Sequence, residues 1–119
     1  MLADDPNGST KLHMDLTDAV NIMIWAGDCS DGTPGYALWH IFPAAVSHIL
    51  RQFLVEEGFK RFGDVIHSQE IYVNDAMLGR LYDKHNIRPH VICQRQGEAV
   101  FIPAGGAHQV CHRLYLQVS

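Results

Sequence analysis

The strongest constraint on how this chain can fold is a pair of short motifs at its two ends. Thr10-Lys11-Leu12-His13-Met14-Asp15 lies near the start, and Phe101-Ile102-Pro103-Ala104-Gly105-Gly106-Ala107-His108 lies near the end. On a strand, residues two apart point to the same face, so His13 and Asp15 are expected to share one. His108 follows Asp15 by 93 residues, and a fold that returns it to them assembles two imidazoles and a carboxylate. That is the donor set of a 2-His-1-carboxylate facial triad, which holds Fe(II) on one face and leaves positions open for a co-substrate and O2. Alone, a His-x-Asp pair reads as readily as two ordinary exposed strand residues. The second motif adds weight to it. A strand ending in Phe-Ile-Pro, a tight Ala-Gly-Gly turn and a His that begins the next strand would aim that imidazole into a barrel mouth. The glycines supply the turn geometry.

Length and composition bound the remaining possibilities. At 119 residues and 47% hydrophobic, the chain fits one domain with a modest core. Its formal net charge of −4, with eight histidines counted neutral, gives no basic signature of a nucleic-acid binder. Cys29, Cys93 and Cys111 form an odd set without a Cys-x-x-Cys pair, which argues against a disulfide framework or structural zinc and for a reducing compartment. No signal-peptide pattern opens the chain, and no apolar run is long enough to span a membrane.

Residues 1–9 read as a loop or frayed end and residues 10–119 as one partial domain. Strands are expected at Leu12–Asp15, Ala19–Trp25 (a buried apolar run) and Tyr36–Phe42. Pro43 opens a helix whose Val46, Ile49, Leu50, Phe53 and Leu54 make one apolar face, and Gly58 stops it. A short strand is expected over 69–73. A second helix runs from an Asn74 N-cap to the Asn86–Pro89 region. Strands follow at His90–Gln94, Ala99–Ile102 and Gln109–Leu116. The pattern is a β core interrupted by a helical insertion.

The run TKLHMDLTDAVNIMIWAG, the segment YALWHIFP, the IHSQ at 66–69 and GEAVFIPAGGAHQV together resemble the JmjC domains of histone lysine demethylases, specifically the branch acting on lysine 9 of histone H3. The resemblance covers nearly all of residues 9–110. It implies a mainly β, double-stranded β-helix (jelly-roll, cupin-like) fold with a helical insertion, and an Fe(II)- and 2-oxoglutarate-dependent dioxygenase. It further implies the histone H3 tail and O2 as partners, and a nuclear location. His13, Asp15 and His108 match the iron ligands. Thr10 matches a hydroxyl used on the 2-oxoglutarate carboxylate in related oxygenases, although a strand-start hydroxyl bonded to backbone is an equal reading. Asn21 matches a position near the co-substrate and reads also as a buried structural amide. His40 lies on the strand that carries a cation for the distal carboxylate in many relatives, and reads also as a core or rim histidine. The cation's own position falls on Ala37.

His67 and Gln69 fall where the branch reads His-Asp-Gln, with Ser68 in place of Asp, and are expected to stabilise a loop. His48, His85, His90 and His112 carry no motif and are expected at the surface. After His108 the family strand carries an Asn and a Lys where this chain has His112 and Val118. The first half of the usual domain does not precede Ser9, so the fold is expected to be incomplete, with unpaired sheet edges, and the isolated chain to demethylate poorly. Two other readings compete: a non-catalytic JmjC-like remnant serving as a chromatin-interaction module, and a cupin-like metal enzyme of other chemistry.

Overall fold

The computed structural model describes residues 9–24, 35–59, 64–66 and 70–113. Expectations for Trp25, Cys29, His67, Ser68, Gln69 and residues 114–119 lie outside these. Among the described residues six strands and two α-helices follow one another as β1 (Thr10–His13), β2 (Ala19–Ile22), β3 (Tyr36–Ile41), α1 (Ser47–Glu56), α2 (Asp75–His85), β4 (His90–Gln94), β5 (Ala99–Ile102) and β6 (His108–Arg113). The architecture is mainly β, as a jelly-roll fragment requires. Among the described residues no helix is long and apolar enough to cross a membrane.

The strands form two antiparallel sheets, one in the order β1-β6-β3-β4 and the other a β2-β5 pair. Alternation along β3 and β6 gives the larger sheet two apolar faces. Ala37, Trp39, Ile41 and Val110 face the small sheet and pack with its Val100 and Ile102. Phe42, Leu12 and Ala107 belong to the core under the helices, with Leu50, Phe53, Leu54 and Leu81. The order is therefore helices, large sheet, small sheet.

Local chemistry explains the helix boundaries. Pro43, with φ fixed at −58°, leads into a 3-10 turn at Ala44–Val46 before α1 begins. Asn74 caps α2 by accepting the Met77 N–H at 2.9 Å. Asn86 ends it in the left-handed region at φ 56°. Between the helices, Glu57 accepts from Arg80 at 2.6 Å and Glu56 meets His85 at 2.9 Å.

Three expectations are corrected. Residues 70–74 form no ladder strand. The Leu12 N–H donates to the Ile71 carbonyl at 2.7 Å, and the buried Gln109 amide clasps Val73, accepting its N–H and donating to its carbonyl at 2.8 Å each. A side chain thus does the pairing that a neighbouring backbone would do. The second correction is that β2 is not a buried run, because Val20 and Ile22 are 62% and 61% exposed. They stand on the outer face of the small sheet beside Phe101, 57% exposed, to which Val20 is paired. The third concerns β1, which ends at His13 and leaves Asp15 beyond the strand.

Candidate metal centre

The centre forms where β1 and β6 meet. Thr10 pairs with Val110 and His13 with His108, so β1 spends three residues where β6 spends two. That extra residue is a β-bulge, and bulges re-aim side chains. Simple alternation would put Thr10 and His13 on opposite faces; with the bulge both line the cleft between the sheets. Asp15 then reaches the same place from the loop after β1.

Two backbone contacts tie that loop to the turn carrying His108. The Gly105 N–H donates to the Asp15 carbonyl at 3.0 Å, and the Ala104 N–H donates to the Asp18 carboxylate at 2.7 Å. The turn depends on its glycines. Gly105 has φ 77°, and a Cβ on Gly106 would lie 3.2 Å from the Phe42 carbonyl oxygen and 3.3 Å from that of Pro103.

The three side chains converge: one donor atom from each of His13, Asp15 and His108 lies within 4.8 Å of the others. Asp15 Oδ2 is 4.0 Å from His13 Nε2 and 3.7 Å from His108 Nε2. The imidazole centroids are 4.1 Å apart with rings tilted by 58°. His13 Nδ1 lies 2.9 Å from the Lys11 carbonyl and His108 Nδ1 lies 2.9 Å from the Gly106 carbonyl. A carbonyl only accepts, so each Nδ1 carries a proton, and in the neutral ring it is Nε2 that offers the lone pair. Burial pushes the His108 pKa down, and His13 adds to this, against the Gly106 carbonyl and Asp15, which raise it. The buried ring is thereby favoured in the neutral form that a metal needs.

This donor set fits a divalent first-row ion. Neighbouring ligands of an ion bound at about 2.1 Å are separated by about 3 Å, so closure asks each side chain to move by less than about 1 Å. The Nδ1–H bonds to backbone carbonyls are the supporting contacts that metal-binding histidines use.

Beside the triad lies a cleft of about 770 Å³, in the range of small-molecule sites. Thr10 and Asn21 line it, as do Tyr36, Ala37, Trp39 and His112. Among the described residues that line it, none is Lys or Arg. His40 is not brought there. It is buried on the opposite face of β3, with its Nδ1 3.4 Å from Gln109 Nε2, because its parity is opposite to that of Ala37 and Trp39. His112, expected at the surface, is exposed yet lines the cleft, since it alternates with His108 and Val110. Sequence reasoning missed Gln94, whose only signal was a polar residue closing an otherwise apolar stretch of β4. It also missed Asp18.

Residues 3–115 match the family described as JmjC domain, hydroxylase. The chain is similar to lysine-specific demethylase 3 of Drosophila melanogaster, 36% identical over 140 residues that cover 87% of this chain and 16% of that protein. It is 33% identical over 147 residues to lysine-specific demethylase 3A of Homo sapiens, covering 94% of this chain and 11% of the relative. A probable JmjC domain-containing histone demethylation protein 2C of Homo sapiens is 29% identical over 143 residues, covering 90% and 6%. The chain thus spans at most 16% of the length of these curated relatives. An alignment of 147 positions exceeds this chain's 119 residues, so that relative carries residues with no counterpart here.

Proposed function

Because the chain belongs to the JmjC domain family, we propose that it forms an Fe(II)- and 2-oxoglutarate-dependent oxygenase centre acting on methylated lysine of a histone tail. One observation carries the reading: His13, Asp15 and His108 converge, with both imidazole Nδ1 atoms tied to backbone carbonyls, beside a cleft large enough for a small organic acid. The relatives' names, lysine-specific demethylase and histone demethylation protein, support methyl-lysine as the substrate class. The sequence resemblance narrows it to lysine 9 of histone H3 and implies work in the nucleus. A net charge of −4 suits a cationic peptide.

When bound, the iron supplies O2 activation coupled to oxidative decarboxylation of 2-oxoglutarate, which oxidises and so removes an N-methyl group. The chain's own residues prepare the site. His13 and His108 would present Nε2 as the donor, their Nδ1 atoms being tied to backbone carbonyls, and Asp15 would add the charge that balances the ion. Thr10 and Asn21 offer polar groups to the co-substrate from the cleft wall. Trp39, Val110 and Ile102 supply the apolar wall that displaces water.

The test is anaerobic calorimetry of Fe(II) binding, followed by measurement of succinate release that depends on O2 and 2-oxoglutarate. We expect Fe(II) binding to be lost in His13→Ala and Asp15→Ala, since three ligands leave no spare donor, and succinate release to be abolished in His108→Ala. Undiminished iron uptake in the first two variants would overturn the metal assignment. Turnover on other small organic acids, with none on 2-oxoglutarate, would favour a cupin-like enzyme of different chemistry.

A further inference from the structure

Gln94, at the end of β4, is 2% exposed and meets four groups on three neighbouring segments. Its Oε1 accepts the Trp39 indole N–H at 2.9 Å. Its Nε2 donates towards the Asn21 carbonyl at 3.0 Å, Asn21 Oδ1 at 3.1 Å and the Glu98 carbonyl at 3.0 Å. The orientation of this amide is fixed by its partners. An indole N–H only donates and a backbone carbonyl only accepts, so the reversed amide would oppose like groups at the Trp39, Asn21 carbonyl and Glu98 carbonyl contacts.

Two consequences reach the cleft. The first is that the bond to Oε1 holds the Trp39 ring, which lies 6.0 Å from the His108 ring at an interplanar angle of 25°. His108 is therefore held by its Nδ1–H bond to the Gly106 carbonyl and flanked by a ring that is itself hydrogen-bonded in place. The second is that Asn21, which lines the cleft, has its Oδ1 occupied by Gln94. The Nδ2 donors are what it keeps, so at this point the wall is polarised to receive a hydrogen-bond acceptor.

We infer that Gln94 is a positioning residue that steadies Trp39 against His108 and sets Asn21 as a donor, making the cleft selective for an anionic, oxygen-bearing ligand such as a carboxylate. The choice of ligand rests on the functional reading above; the amide network does not. Gln94 itself borders the cleft, but its amide is engaged by Trp39, Asn21 and Glu98, so it acts through Trp39 and Asn21.

The experiment compares the full chain with Gln94→Glu and Asn21→Asp. Gln94→Glu keeps an acceptor for Trp39 but replaces the two N–H donors with at most one O–H, for which the Asn21 and Glu98 carbonyls compete, so Asn21 Oδ1 loses its partner and is free to turn to the cleft. Asn21→Asp keeps the acceptor that Gln94 uses and removes the donors, at an exposed position that does not threaten folding. Three readouts apply. Hydrogen exchange of the Trp39 indole N–H, measured by NMR without metal, should be slow in the native chain and in Asn21→Asp. Calorimetry of 2-oxoglutarate on the Co(II)-loaded chain should show affinity lower by about tenfold or more in both variants, the loss expected for one hydrogen bond to a charged group. Co(II) affinity should stay within about threefold of the native value in Asn21→Asp, while the Co(II) absorption bands shift in Gln94→Glu as His108 loses its fixed neighbour.

Equal 2-oxoglutarate affinity in Asn21→Asp and the native chain, or rapid indole exchange in the native chain, would overturn the inference. Failure of the native chain to bind Co(II) or Fe(II) would instead sink the functional reading and leave the exchange measurement to decide the role of Gln94. Should Gln94→Glu fail to fold, Asn21→Asp and the native exchange rate still decide it.

Discussion

His108 serves two purposes that pull in different directions. It must be buried to be held rigidly, and burial makes its protonated form costly. Its pKa lies below the ordinary imidazole value near 6.5, so the folded chain keeps the ring neutral where an unfolded chain would protonate it. The sign follows: this contribution to stability is fully present above about pH 6.5 and is lost as the pH falls through the folded pKa. In the metal-free protein with a chelator present, urea midpoints should therefore fall between pH 7.5 and 5. His108→Gln, which cannot titrate, should show a smaller fall; parallel curves would contradict the assignment. At this scale the convergence of His13, Asp15 and His108 was legible because the spacing and turn residues of each motif are local signals. The aim of Thr10 was not, since a bulge is set by pairing with β6. His40 shows a signal present but unused: three residues from Ala37, its parity alone places it on the other face.

The elements were legible where the signal lies in consecutive residues. Pro43, Asn74 and Asn86 fix helix ends through their own backbone chemistry, and strands β3 to β6 follow from apolar runs and turn residues. The segment at 70–74 was not, because beyond one backbone bond from Leu12 to Ile71 its partner at Val73 is a side chain 36 residues away. Its apolar alternation is real, with Ile71 and Val73 buried, but a ladder needs a backbone neighbour. Removing that clasp tests the account. Gln109→Met keeps the volume but leaves the Val73 N–H and carbonyl without their amide partner; each buried orphan costs about 1–3 kcal/mol. We expect a loss of about 2–4 kcal/mol in chemical denaturation, against about 1 kcal/mol for the cap variant Asn74→Ala. A Gln109→Met chain no less stable than Asn74→Ala would show that the clasp contributes little.

Across the whole molecule, stability is divided unevenly between the two sheets. The large sheet is four strands wide and covered by the helices on one face. The small one is a β2–β5 pair with Val20, Ile22 and Phe101 on an exposed outer face. A two-stranded unit is marginal without packing, and among the described residues this one is packed on its inner face only. In hydrogen exchange, amides of β2 and β5 should therefore open first, at a free energy well below that protecting β3 and β6. The three converging side chains, His13, Asp15 and His108, lie on β1, the loop after it and β6, whereas Asn21 lies on β2. It follows that an added divalent ion should slow exchange in β1 and β6 more than in β2, while a bound acid bridging the cleft should slow β2 as well. The same division bears on turnover. Local opening of β2 displaces a wall of the cleft while the triad persists, and a misplacement of about 1 Å can cost on the order of a hundredfold in rate. We expect the 119-residue chain to bind metal yet demethylate a dimethylated histone H3 peptide far more slowly than a relative's complete domain, read by mass spectrometry. Rates within about threefold of that domain, abolished by His108→Ala, would show that β2 and β5 hold the cleft closed without further packing.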